Sequence, residues 1–73
     1  MNKHQIFVRL VERHSNFRQF ALNSGFNPRT VIQVVDRWAG SHDLPRGRLT
    51  YKILRDLSEA IDAEVIPGIL RGK

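Results

Sequence analysis

Apolar residues recur along this chain at spacings of three and four, the period of a helix, and the pattern divides the chain into successive amphipathic segments. The spacing predicts a first helix over about Lys3 to His14, with Ile6, Phe7, Leu10 and Val11 on its apolar face. Lys3, Arg9, Glu12 and Arg13 make its solvated side. Ser15 or Asn16 is placed to cap a second helix, in which Phe17, Phe20 and Ala21 share one face. That helix stops at Ser24-Gly25, because glycine enters the left-handed region without steric cost and lets the chain turn sharply, carrying Phe26 into the angle. Asn27 then caps a third helix, and Pro28 fits its first position, where a missing N–H costs nothing. Val31, Val34, Val35 and Trp38 form its buried stripe.

Ala39 to Leu49 carries two glycines and one proline without helical period and reads as a loop, long for a helix connection. Thr50 is expected to cap a main core helix running to about Ile61, with Ile53, Leu54, Leu57, Ala60 and Ile61 at helical spacing. Beyond it Pro67-Gly68 restricts any fifth helix to a short one, the other reading being a packed tail. Val65, Ile66, Ile69 and Leu70 either complete the core or form a dimer face. The expected fold is therefore all-α, a compact bundle of four to five helices.

The stretch Phe17 to Trp38 organises this pattern as a helix-turn-helix. Opposite its buried stripe, the third helix carries Arg29, Thr30, Gln33 and Arg37, with Asp36 at the edge and Ile32 on the flank. Arginine can grip the O6/N7 edge of guanine and glutamine can pair with adenine, so this face has the chemistry to read a major groove. Any amphipathic helix has a polar face; the distinguishing features are Ala21 four before Gly25, and Val31 and Val34 beyond it, which suit two helices crossing closely.

Those positions resemble the helix-turn-helix of the lambdoid-phage Cro and repressor family. There the small residue of the first helix, the turn glycine and two apolar positions of the recognition helix fall where Ala21, Gly25, Val31 and Val34 fall here. Gly25-Phe26-Asn27-Pro28-Arg29-Thr30-Val31 is also similar to the turn of the small Ner-type phage regulators. Two positions depart from the family pattern: Ser24 stands where a larger apolar residue packs, and Ile32 where a polar base-contacting residue is frequent. The resemblance implies a lambda-repressor-like fold in which the loop after the recognition helix and the next helix start touch the DNA backbone. Arg46, Arg48, Thr50, Tyr51 and Lys52 would then meet phosphate.

Composition narrows the function classes. The chain has 73 residues, enough for a single small domain, and no cysteine, so neither disulfides nor thiolate metal sites are available. The opening MNKHQIFVRLVERH has charges throughout and lacks the apolar run of a signal peptide or membrane span. His4, His14 and His42 fall on different elements without metal-ligand spacing, and no phosphate loop, nucleophile elbow or carboxylate pair is recognisable. Neither an enzyme, a metal, a cofactor nor a small-molecule effector is expected. Net charge is +5, favouring a polyanionic partner. Its placement is more informative: Asn27 to Arg55 holds six basic residues against two acids, while Asp56 to Glu64 holds four acids and no base.

Together these observations predict a cytoplasmic, nucleoid-associated regulator that binds double-stranded DNA as a homodimer on a palindromic operator. Asn27, Arg29, Thr30, Gln33 and Ile32 would read bases, while Asn16, Arg18, Gln19 and Arg37 would join the loop residues on phosphate. By resemblance, the regulator would be a phage or mobile-element autorepressor. Alternatives are a protein-interaction module, such as a toxin-neutralising antitoxin, and an architectural or recombination-directing DNA binder.

Overall fold

The structure, a computed structural model, describes residues 1–70. It contains four α-helices and, among the described residues, no strand: α1 Lys3–Glu12, α2 Phe17–Ser24, α3 Pro28–Trp38 and α4 Arg48–Ile61. No helix among these residues is long and apolar enough to cross a membrane.

Three helix starts are made by asparagine side chains. Asn2 closes a capping box with Gln5, Asn16 accepts from Gln19 N–H at 2.8 Å, and Asn27 accepts from Arg29 N–H at 2.9 Å. The choice between Ser15 and Asn16 thus falls on Asn16. Three helix ends share another device, a residue of positive φ followed by a bond reaching back five residues. At α2 this residue is Gly25 (φ 79°), with Phe26 N–H donating to Ala21 O at 2.8 Å. His14 (φ 57°) and Asp62 (φ 54°) take the same conformation after α1 and α4, with Ser15 N–H bonded to Leu10 O and Ala63 N–H to Ser58 O. His14 therefore lies beyond α1 rather than inside it.

The core is built on α4. Ile53, Leu54, Leu57 and Ile61 are buried against Ile6 and Leu10 of α1, Phe17, Phe20 and Ala21 of α2, and Val31 and Val35 of α3. Val34, Trp38 and Phe26 pack partly buried at its margin, with the rings of Phe20 and Phe26 6.1 Å apart. Val65, Ile66 and Ile69 are fully buried, so the segment after α4 is a packed tail that completes the core and, among the described residues, forms no fifth α-helix.

Four expectations change. The helix expected from Thr50 starts at Arg48, because the break falls at Gly47 and Arg48 and Leu49 both favour helix; Thr50 is then its third residue and caps nothing. Phe7 and Val11 stay 42% and 50% exposed, since the buried ridge of α1 is Ile6 and Leu10 alone. Phe7 instead leans on Phe17, the ring centroids 6.0 Å apart. Ala60 is exposed and Ser58 is buried in its place. Burying a serine needs partners, and Ser58 Oγ has two: it donates to Leu54 O at 2.8 Å and accepts from Val65 N–H at 3.0 Å. The hydroxyl thereby fixes the tail to α4. Met1 adds two ties, its amino group donating to Val65 O at 3.1 Å and its carbonyl accepting from Gly40 N–H at 2.7 Å.

Two substitutions check these assignments. Ser58→Ala leaves Val65 N–H unpaired in the core and should cost about 1–3 kcal/mol in chemical denaturation; a neutral result would remove the hydroxyl's role. A Cβ at Gly25 meets nothing within 4 Å, so Gly25→Ala should lose only the left-handed backbone preference, about 1 kcal/mol, and still fold on thermal melting. Loss of the folded state in that variant would point to a steric barrier at the bend.

Candidate nucleic-acid interface

Burial of Val31 and Val35 fixes the rotation of α3 and turns the opposite side outward. Arg29, Gln33 and Asp36, at i, i+4 and i+7, form the middle of this outer face. Ile32 lies beside them at 37% exposure, so one apolar edge is available for a methyl group. Thr30 is half-buried and Arg37 exposed on the other flank.

That second flank borders α4. Thr30, Gln33, Val34, Arg37 and Trp38 line a groove of about 310 Å³ whose far wall is Thr50, in the first turn of α4. Trp38 also lines a second hollow, of about 670 Å³, with Asp43, Leu44, Arg46 and Gly47. The two share Trp38 as a wall; taken together as a furrow, they gather polar groups of α3 and the α4 start with Asp43 and Arg46 of the loop. Pro45 is buried and anchors the loop between them. At the α4 start Gly47 supplies no side-chain cap, so the first N–H groups of that helix, which carry its positive dipole end, receive no acceptor from the cap side chain.

The electrostatics favour an anion here. Arg29, Arg37, Arg46, Arg48 and Lys52 are exposed, and none has a carboxylate within 4.0 Å among the described residues. Arg48 and Lys52, four residues apart, share one face of the opening turns of α4. Asp56 and Glu59 are directed elsewhere, into a separate hollow of about 410 Å³ between α1, α2 and α4. Glu59 is held by Arg55, with Nε 3.2 Å from Oε1.

The sequence-predicted site residues are not all equally free. Tyr51 does not join the furrow: its hydroxyl donates to Ile69 O at 3.1 Å and its ring packs against the core, which ties it to the tail and removes it from the phosphate set. Asn27 and Asn16 use their side-chain carbonyls as helix caps, leaving each only its amide N–H groups to offer. Asn27 therefore cannot grip adenine in two-pronged fashion while it caps α3. Gln19 directs its amide to Asn23 Oδ1 at 3.1 Å, and Arg18 is exposed on α2. Neither lines the furrow.

Sequence reading missed Lys3. Assigned to the solvated side of α1, it reaches α3 and pairs with Asp36, Nζ to Oδ1 2.6 Å. Only the tertiary fold brings the first residue of α1 within reach of α3, and no local spacing signals it. The outer face of α3 thus has Lys3 of α1 on one side and Thr50 of α4 on the other.

No protein-family model, curated protein or solved structure matches this chain.

The two possible roles of Asn27 separate experimentally. Asn27→Ala should destabilise the fold by about 1 kcal/mol on thermal melting, whereas Asn27→Ser, which keeps a capping oxygen, should stay within a few tenths of the parent. Equal losses in both variants would count against the cap.

Proposed function

We propose that this chain is a sequence-specific regulator that binds double-stranded DNA, with α2, the Gly25 bend and α3 acting as a helix-turn-helix. The observation that carries this reading is the outer stripe of α3. A guanidinium and a carboxamide, Arg29 and Gln33, project together opposite a fully buried valine pair, beside a furrow edged by Arg37, Thr50 and Arg46. Arginine and glutamine offer groups that match base edges, and the flanking cations match phosphate.

In this reading Arg29, Gln33 and Ile32 enter the major groove, with Thr30 at its edge and the Asn27 amide donating near it. Arg37, Arg46, Arg48, Thr50 and Lys52 set the register on the backbone, and Arg18 with the α2 start contributes from the other side. Binding to a palindromic operator as a homodimer follows from the family resemblance, as does autorepression by a phage or mobile-element regulator. Because Val65, Ile66 and Ile69 belong to the core, two copies would have to pair through a different surface.

A second reading has its own observation. Phe7, Val8 and Val11 form an exposed apolar strip on α1, 40–50% accessible, which suits a protein-interaction module.

Fluorescence anisotropy with random and selected duplexes across a salt series discriminates the two. DNA binding predicts a steep loss of affinity as salt rises, while weak association without a salt slope favours the interaction module. Arg29→Ala should cost roughly 1–3 kcal/mol on the selected site and relax its preference, whereas Arg48→Ala should weaken every duplex alike and flatten the salt slope. An Arg29→Ala variant that loses equally on selected and random DNA would remove base reading from that residue. Titration at high protein concentration gives the stoichiometry: two chains per palindromic duplex are expected, and one chain would refute the dimer.

A further inference from the structure

The middle of the α3 outer face ends in an acid. Asp36 follows Gln33 by three residues and Arg29 by seven, on the same stripe, where every other polar group is a donor or an amide. A bare carboxylate aimed at a polyanion is repelled, and within a Debye length of about 8 Å physiological salt screens this only partly. Asp36 is not bare. Lys3 Nζ lies 2.6 Å from its Oδ1, with the two side chains 47% and 54% exposed.

The lysine comes from a fixed support. Lys3 opens α1 directly after the Asn2 capping box, and Met1 before it is bonded both to Val65 and to Gly40. Its reach to α3 is thus set by the fold rather than by a free helix end. As a brace between helices, an exposed ion pair contributes only about 0–1 kcal/mol. The pair engages Oδ1, while Oδ2 makes no hydrogen bond among the described residues and stays on the exposed stripe. In the major groove the base edge that donates to a carboxylate is the N4 amine of cytosine.

We propose that Asp36 is a base-reading acceptor that selects cytosine, with Lys3 as its positioning residue, fixing the carboxylate and offsetting its charge towards phosphate. This rests on the DNA-binding reading above and adds to it a determinant of sequence preference supplied by two helices.

Selection of bound duplexes from a random pool, run in parallel on the parent chain and on Asp36→Ala, Asp36→Asn and Lys3→Gln, tests it. The parent should enrich cytosine at one position by roughly tenfold over other bases. Asp36→Ala should lose that preference at that position alone. Asp36→Asn should move it to adenine, since a carboxamide can both accept from N6 and donate to N7. Lys3→Gln should blunt the same position while its melting curve stays near the parent's. An enriched motif identical in the parent and Asp36→Ala, with a lower melting temperature in the variant, would reduce the pair to a brace and overturn the proposal. A parent chain that enriches no sequence would bring down the DNA-binding reading itself, and this inference with it.

Discussion

The structure depends on the left-handed turn at Gly25. Two backbone bonds close it, from Gly25 and Phe26 back to α2, and the Phe20–Phe26 ring contact seals its inner side. Such a turn fixes the direction in which the next helix leaves, and Asn27 and Pro28 start that helix without an intervening loop. Once the direction is set, burying Val31 and Val35 leaves α3 no freedom to rotate. The polar stripe of Arg29, Gln33 and Asp36 is outward-facing as the geometric remainder of that burial.

The rest of the chain supports this arrangement from three sides. α4 supplies the floor through Ile53, Leu54, Leu57 and Ile61, and the tail closes the far side through Val65, Ile66 and Ile69. Ser58 joins the two, accepting a backbone N–H where an apolar side chain would leave it unsatisfied. α1 then does double service: its inner ridge completes the core while its first residue reaches across to α3. In a chain this short nearly every element must both bury surface and position a side chain, which is why core and proposed interface share helices.

Charge is separated by the same packing. Among the described residues, the basic side chains from Arg29 to Lys52 have no carboxylate partner along α3, the loop and the α4 start, whereas Asp56 and Glu59 line the hollow beside α1 and α2. A polyanion approaching the furrow meets the guanidinium groups of Arg37 and Arg46 and the uncapped start of α4, against the single carboxylate of Asp43, and the one acid on α3 is already matched by Lys3.

Much of this was legible in the sequence, because helices are local. The period of apolar residues located four helices, Asn27 named the start of α3 and Gly25 marked the bend, since each of these is a property of neighbours in the chain, whereas the start of α4 fell two residues before the expected Thr50. What only tertiary structure decided involves partners far apart. Tyr51 reads as a phosphate ligand until Ile69, eighteen residues on, takes its hydroxyl. Ser58 breaks the apolar period of α4 and is buried only because Val65 needs an acceptor, and the apolar tail reads equally as core or dimer face until α4 leaves it a space to fill. Lys3 reads as an idle surface charge until the fold sets it against Asp36. Spacing along a helix dictates which residues share a face; which face meets which depends on how the helices cross, and crossing is settled by side chains that the chain order keeps apart.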